Sequence, residues 1–175
     1  TDGSLTPLAP IGAGTAPAAI TVDPSGKYVY VANSSSNDIS QYSIGATGNL
    51  SVIAPAIPAG TDPFCIATTP SGKYVYVANT SDNNISQYSI GATGALTALT
   101  PAVGAGTDPV SIAIDPYGRY VYVANYTSNT VSQYTIGSNG FLTPVATIAA
   151  GTNPIYISVD PSGKYVYVAN EGDDT

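Results

Sequence analysis

The heptapeptide KYVYVAN fills residues 27–33 and returns three more times along the chain. It recurs unchanged at residues 73–79 and 164–170, and as RYVYVAN at residues 119–125. The first residues of successive copies are therefore 46, 46 and 45 positions apart. Internal similarity at a fixed period of this length is typical of repeat proteins, in which each repeat is one supersecondary unit.

Other landmarks keep the same register and divide each repeat into four short strands. A proline stands ten residues before every copy, and the first, apolar strand follows it, at Ala18–Val22 in the first repeat. A turn such as Asp-Pro-Ser-Gly at residues 23–26 then leads into the second, Tyr-Val-Tyr-Val-Ala strand. The third strand ends in QYSIG at residues 41–45 and 87–91 and in QYTIG at residues 133–137. The fourth begins at a Gly-x-Leu piece. No segment shows helical periodicity, so the sequence predicts an all-β chain.

Both faces of the second strand are apolar, which identifies the kind of sheet. In residues 28–32 the tyrosines point to one face and the valines to the other. A sheet with one solvated face would alternate with polar residues, whereas a blade packed between two neighbouring blades would not. Four strands in about 46 residues is the size of a β-propeller blade. A β-sandwich would not explain the strict period, and a β-helix has shorter coils.

The segment from Pro17 to Asn33 resembles the repeat of YVTN-type β-propellers. That superfamily also holds the seven-bladed lactonase-like propellers and surface-layer-type proteins. The resemblance covers the whole chain, and it implies that the strand after the proline lines the central channel and that the Gly-x-Leu strand is outermost. We therefore expect a β-propeller with four-stranded antiparallel blades of about 46 residues.

The repeat boundaries predict a single propeller segment over residues 1–175, with about 3.8 blades. Residues 1–10 are expected to form an outer strand, and the predicted full blades are residues 15–57, 61–103 and 107–148. Residues 152–175 are the expected inner half of a fourth blade. We expect the segment to be part of a larger ring of seven or eight blades, with a compact four-bladed ring as the alternative.

Composition and charge exclude several classes of partner. Only 9% of the residues are charged, and 4 cations against 11 acids leave a net charge of −7. Nucleic acid is therefore excluded as a partner, because little could neutralise its phosphates. We expect no membrane insertion, since no run of about 18 apolar residues occurs. The low charge and the abundance of Thr, Ser, Asn, Gly and Tyr favour an extracellular or cell-surface location.

Catalytic residues are not evident. The resemblance implies that an enzyme of this architecture gathers His, Arg and Glu at one mouth of the channel, but the chain has no His. Its one Arg, Arg119, shares a repeat position with three lysines, and its one Glu is Glu171. Cys65 has no His to activate it and is interpreted as a small packing residue. The sequence predicts no catalytic residue, cofactor site or metal site, and Asx residues in the loops are interpreted as turn formers.

Three tyrosines break the repeat and are the candidate contacts for a ligand or partner, namely Tyr117, Tyr126 and Tyr156. Exposed aromatic residues with a polar tip suit contacts with sugars or proteins. The leading hypothesis is a non-catalytic propeller module of a secreted or cell-surface protein, which binds a protein partner or itself through open blade edges. The alternatives are a lactonase-like hydrolase whose catalytic residues lie in blades outside this chain, and a carbohydrate-binding propeller that contacts a glycan.

Overall fold

The computed structural model describes residues 3–175 and consists of fourteen strands and one short 3₁₀ helix. The strands are β1 (Pro17–Val22), β2 (Tyr28–Asn33), β3 (Asp38–Ile44), β4 (Leu50–Pro58), β5 (Pro63–Thr68), β6 (Tyr74–Asn79), β7 (Asn84–Ile90), β8 (Leu96–Gly104), β9 (Pro109–Ile114), β10 (Tyr120–Asn125), β11 (Thr130–Ile136), β12 (Leu142–Ala149), β13 (Pro154–Val159) and β14 (Val166–Asn170). The 3₁₀ helix is Glu171–Asp173. No helix in this part of the chain has the length and apolarity required to cross a bilayer.

The strands form consecutive antiparallel sheets, which confirms the predicted all-β propeller architecture. Blade 1 is β1-β2-β3-β4, blade 2 is β5-β6-β7-β8, and blade 3 is β9-β10-β11-β12, each in chain order. The fourth sheet contains only β13 and β14. The innermost strands β1, β5, β9 and β13 lie next to one another in that order, so the blades follow one another around a common axis.

The described chain forms three and a half blades rather than 3.8, because the outer strand expected over residues 1–10 is not observed. Residues 4–10 have no strand conformation, and Thr1 and Asp2 lie outside the described residues. In a complete blade the outer strand pairs with the third strand, as β4 pairs with β3. Among the described residues no strand pairs with residues 4–10 as β3 pairs with β4, so this segment has no backbone partner in a sheet. Leu5, the counterpart of Leu50, is 97% exposed.

Each inner hairpin is shaped by the same local chemistry. Asp23 directly follows the first strand, and its carboxylate accepts hydrogen bonds from the backbone N–H groups of Lys27 and Tyr28 at 2.8 and 2.7 Å. Gly26 closes the turn at φ +68°, a conformation that favours glycine. A bulge then shifts the register between Pro17 and Ala19. The first strand therefore begins at the proline, one residue earlier than the sequence predicts.

The two largest hydrophobic clusters lie between neighbouring blades. Tyr30 and Ala32 of blade 1 pack in one cluster with Ile66, Val77 and Leu96 of blade 2. The same arrangement is repeated one blade further on, where Tyr76 and Ala78 pack against blade 3. Blade 2 is covered on both sides by blades 1 and 3, which explains why the alternating tyrosines and valines of β6 are apolar on both faces.

Hydrogen bonds join neighbouring blades at the same places. The Tyr30 hydroxyl donates to the carbonyl oxygen of Gly94 at 2.7 Å, and the Tyr76 hydroxyl donates to that of Gly140 at 2.9 Å. In addition, the Leu96 N–H donates to Oε1 of Gln41 at 2.7 Å. These bonds are buried, so breaking one leaves an unpaired polar group in the core. We use the term blade junction for one such contact. It consists of a tyrosine of the second strand together with the turn and the apolar cluster of the next blade that the tyrosine contacts.

Candidate functional site

The channel wall is formed by the four innermost strands, and these carry no charged side chain. Their sequences are PAAITV, PFCIAT, PVSIAI and PIYISV. Only Cys65 and Tyr156 among them have side chains that titrate. General acid–base catalysis needs a group that exchanges a proton near neutral pH, usually His, Asp or Glu. The described wall therefore supplies surface and shape but no acid–base pair.

Side chains of the inner strands are used to connect one strand to the next. The Ile112 N–H donates to Sγ of Cys65 at 3.4 Å, and the Ile157 N–H donates to Oγ of Ser111, the equivalent position, at 3.3 Å. Burial raises the pKa of the Cys65 thiol, although its hydrogen bonds with backbone N–H groups act in the opposite direction. A raised pKa disfavours the thiolate, which is the nucleophilic form. These observations support the interpretation of Cys65 as a packing residue.

One end of the propeller is formed by the loops after β2, β6, β10 and β14, and its polar groups bind the next blade. Oδ1 of Asn37 accepts the N–H of Asp62 at 2.9 Å, and Oδ1 of Asn83 accepts that of Asp108 at 2.8 Å. Asn129 repeats the contact with Asn153 at 2.7 Å. These Asx residues are therefore occupied in blade–blade contacts. No group of three or more His, Cys, Asp or Glu residues within 3–175 is arranged to hold a metal ion.

The opposite end is formed by the turns that follow the first strands. There the Asp115 carboxylate pairs with the Arg119 guanidinium, Oδ2 to Nε, at 3.1 Å. The guanidinium carbon of Arg119 also lies 4.6 Å from the centre of the Tyr117 ring. This arrangement explains the single Arg as part of a turn, because its charge is paired locally. It leaves Arg119 without the role that the lactonase resemblance gives to an arginine at the channel mouth.

The structure does not bring the three candidate tyrosines together. Tyr117 precedes β10 and Tyr126 follows it, so the two lie at opposite ends of a six-residue strand, whose own ends are about 17 Å apart at 3.3–3.4 Å per residue. Tyr156 is exposed on β13. Tyr126 is occupied, because its hydroxyl donates to Oε2 of Glu171 at 3.0 Å, and this contact raises the pKa of Tyr126. Tyr117 and Tyr126 therefore do not share one small binding site.

Sequence reasoning missed the buried glutamines that connect neighbouring blades. Gln41 and Gln87 each use both ends of the amide, since Nε2 donates to a carbonyl of the same blade, Pro55 or Pro101, and Oε1 accepts from a leucine of the next blade. The available signal was a Gln repeated at one position of an otherwise apolar third strand. A buried amide that recurs with the repeat indicates a hydrogen-bonded structural role.

Comparison with known proteins assigns this propeller to a family. The family model described as "Lactonase, 7-bladed beta-propeller" matches residues 4–110 and 101–175. Among curated proteins, none matches the sequence significantly. The chain is a lactonase-like β-propeller by its blades and topology. It belongs to the family of seven-bladed lactonase propellers.

Solved structures agree with this assignment at the level of the fold. A protein of Bacteroides uniformis, named provisionally as a 6-phosphogluconolactonase, superposes with a TM-score of 0.81 at 21% identity, over 88% of this chain and 47% of that one. A provisionally named 6-phosphogluconolactonase of Bacteroides fragilis gives 0.80 at 24%, over 88% and 47%. The periplasmic gluconolactonase of Pseudomonas aeruginosa gives 0.76 at 19%, over 89% and 47%. The chain thus spans about half the length of these relatives.

Proposed function

We propose that this chain supplies wall-forming blades of a lactonase-class enzyme, a hydrolase that opens a cyclic ester. The observation that carries the proposal is the match of the lactonase family model along residues 4–175. Two further facts support it: the structural relatives include proteins named for gluconolactone substrates, and the inner strands form an uncharged wall.

Lactone hydrolysis needs an acid–base group that these blades do not supply. Water attacks the lactone carbonyl, and a general base must take its proton while the ring oxygen leaves. The described wall holds no such base, and Arg119 is paired with Asp115. The proposal therefore places the acid–base residues in blades outside residues 3–175, which is the alternative that the sequence already raised.

The test compares two polypeptides on the same substrates. The 175-residue chain and any longer natural polypeptide that contains it are incubated with gluconolactone and 6-phosphogluconolactone, and hydrolysis is followed above the spontaneous rate. We expect turnover by the longer polypeptide and none by the 175-residue chain. Absence of turnover by the longer polypeptide would overturn the proposal, and turnover by the short chain would refute the placement of the catalytic residues.

A second candidate is a non-catalytic module at the cell surface. It is favoured by the distribution of charge, because all four cations occupy one repeat position and several loop Asx side chains accept blade–blade hydrogen bonds. Near-identical repeats without His suit a scaffold or an interaction surface. Labelling of intact cells with a membrane-impermeant reagent would detect the protein in this case, and an unlabelled protein in intact cells would contradict it.

A further inference from the structure

We propose that the channel mouth at the loop end binds an uncharged sugar lactone, with the Phe64 ring against its C–H face and the Asp62 carboxylate accepting hydrogen bonds from its hydroxyl groups. The loop end is the end of the propeller formed by the loops after β2, β6, β10 and β14. This inference rests on the proposed function, which supplies the lactone, and it deepens that function by naming the charge class of the lactone and two residues that contact it.

Differences between the repeats are concentrated at this mouth. In all four repeats Ala-Gly-Thr precedes a four-residue segment and Ile follows it. Within the segment the proline is constant and the other three positions vary. The segments are Ala-Pro-Ala-Ala at residues 16–19, Asp-Pro-Phe-Cys at 62–65, Asp-Pro-Val-Ser at 108–111 and Asn-Pro-Ile-Tyr at 153–156. A ligand that lies off the propeller axis meets each blade differently, so its site requires positions at which the blades differ.

A β-bulge directs the Phe64 side chain out of the blade. The register shifts between Pro63 and Cys65, which leaves Phe64 as the extra residue of the strand. Cys65 packs in the cluster toward blade 3 and Ile66 in the cluster toward blade 1, whereas Phe64 belongs to neither of these two clusters and is 48% exposed. Because blades 1 and 3 cover both faces of blade 2, the ring is exposed toward the channel mouth. Bulges re-aim side chains in this way beside active sites.

Asp62 is held in place by its backbone while its carboxylate stays free. Its N–H donates to Oδ1 of Asn37 in blade 1 at 2.9 Å, and its carbonyl oxygen accepts the N–H of Thr80 at 2.9 Å. Within residues 3–175 no hydrogen bond or ion pair occupies the Asp62 carboxylate. Phe64 follows Asp62 by two residues, so an aromatic face and a free acceptor lie together on one fixed segment.

These two groups match the chemistry of a sugar lactone. Its ring carbons present a C–H face that packs against an aromatic ring, and its hydroxyl groups are donors for a carboxylate. Blade 2 is the only repeat whose segment carries both an acidic and an aromatic residue. The site is therefore expected on this blade and not in the equivalent position of the others.

The distribution of charge favours an uncharged ligand over a phosphorylated one. All four cations directly precede second strands and therefore lie at the opposite end, separated from the loop end by a six-residue strand, about 17 Å long at 3.3–3.4 Å per residue. They are Lys27, Lys73, Arg119 and Lys164. A phosphate at the loop-end mouth would meet the carboxylates of Asp62 and Asp108 and no cation from these blades, which is unfavourable by Coulomb's law.

The test measures binding and does not require turnover. The longest natural polypeptide that contains this chain is titrated calorimetrically with gluconolactam, an uncharged lactam that resists hydrolysis, and with gluconolactam 6-phosphate. The variants are Phe64→Ala and Asp62→Asn. Ala18 and Asn153 occupy the equivalent positions of other repeats, so both substitutions introduce residues that the fold already accepts there.

The matched control is Phe141→Ala. Phe141 is the other phenylalanine of the chain and stands at the outer hairpin of blade 3, away from the channel. Its counterpart one repeat earlier is Ala95, so this substitution also introduces a residue that the repeat accepts. Circular dichroism checks the folding of each variant.

We expect gluconolactam to bind at least about tenfold more tightly than its 6-phosphate at low ionic strength, and added salt should reduce this difference. Phe64→Ala should weaken gluconolactam binding about 3–10-fold. Phe141→Ala should leave it unchanged. Asp62→Asn should weaken gluconolactam binding and reduce the preference over the 6-phosphate, because a repulsive charge is removed.

Absence of gluconolactam binding, or tighter binding of the 6-phosphate, would overturn the proposal. An unchanged affinity in Phe64→Ala, or an equal loss in Phe64→Ala and Phe141→Ala, would also overturn it. Binding that depends on Phe64 without hydrolysis of any lactone would support this site and refute the proposed function. Hydrolysis with a KM that Phe64→Ala leaves unchanged would do the reverse, so the two proposals fail distinguishably.

Discussion

The ring of Tyr28 lies so closely over Gly94 of the next blade that a Cβ on Gly94 would clash with Cδ1 of that ring. Gly94 also has a φ of +83°. Two independent requirements therefore select glycine at this turn, one from the local backbone and one from the neighbouring blade. The same combination recurs where Tyr74 lies over Gly140.

Substitution of Gly94 by Ala should lower the free energy of unfolding by about 2–5 kcal/mol. Of this, about 1–2 kcal/mol comes from the left-handed backbone. A further ~1–3 kcal/mol comes from displacement of the Tyr28 ring by the added methyl group. Urea denaturation followed by circular dichroism gives the value.

Gly26→Ala is the control for that variant, because Gly26 has a φ of +68° and open space around it. We expect it to cost only the backbone part. If the two variants are equally destabilised, Tyr28 does not constrain the turn.

Removal of the Tyr76 hydroxyl should isolate the value of one junction hydrogen bond. In Tyr76→Phe the ring stays in place, and the buried carbonyl of Gly140 loses its 2.9 Å partner. The expected loss is about 1–3 kcal/mol, the cost of an unsatisfied buried polar group. Thermal or urea unfolding measures it. Tyr117→Phe, at an exposed ring, should change stability by less than about 0.5 kcal/mol; a similar loss in both would show that the junction bond contributes nothing.

Asn83 should contribute to stability in two separable ways. Its side chain accepts the Asp108 N–H at 2.8 Å, and its backbone has a φ of +54°. Asn83→Gly keeps the backbone conformation and loses the hydrogen bond, at about 0.5–1.5 kcal/mol. Asn83→Ala adds the backbone penalty of about 1–2 kcal/mol. Equal stability of the two variants, measured in urea, would argue against this division.

The Asp160 carboxylate should make the free energy of unfolding decrease at acidic pH. The Ser162 hydroxyl and the Tyr165 N–H are the main groups that lower the pKa of Asp160 to about 2. The unfolded value is about 3.9. Because the folded pKa is the lower one, the unfolded chain binds more protons between these values. The contribution of Asp160 is therefore complete above about pH 3.9 and lost as the pH falls toward about 2.

A carbon-detected NMR titration of the carboxylate tests this directly. Ser162→Ala should move the pKa of Asp160 upward, since the largest contribution is removed. Asp160→Asn should flatten the decline of stability in this range. An ordinary aspartate pKa in the wild type, or an unchanged acid profile in Asp160→Asn, would contradict the prediction.

The propeller could be predicted from the sequence because its signals are local and repeated. The Tyr-Val alternation of Tyr28–Ala32 indicates a strand buried on both faces, and the turn chemistry of Asp23–Gly26 fixes the hairpin. The first strand begins at Pro17 instead of Ala18 because a bulge admits the proline into the ladder. The sequence gives no direct signal for such an irregularity.

Contacts between side chains of different repeats could not be predicted from the sequence pattern. Asn83 and Asp108 are 25 residues apart and meet only when two blades pack, so Asn83 could be interpreted as a turn former but not as a cap for another blade. The candidate tyrosines were selected because they break the repeat. A break in the repeat does not predict where a side chain lies in the fold, and Tyr117 and Tyr126 lie at opposite ends of β10. Membership of the seven-bladed lactonase propeller family is implied by the resemblance and not by any catalytic group of the chain.

The 64-residue separation between Tyr30 and Gly94 spans a whole repeat and part of the next. Any two consecutive copies of the repeat therefore carry both halves of a junction. Gain or loss of a complete unit in the gene would leave every junction residue with an equivalent partner, whereas a partial insertion would misplace a tyrosine relative to its glycine. Blade number is thus the property of this protein that can change most readily during evolution, and the phase of the repeat is the property that cannot.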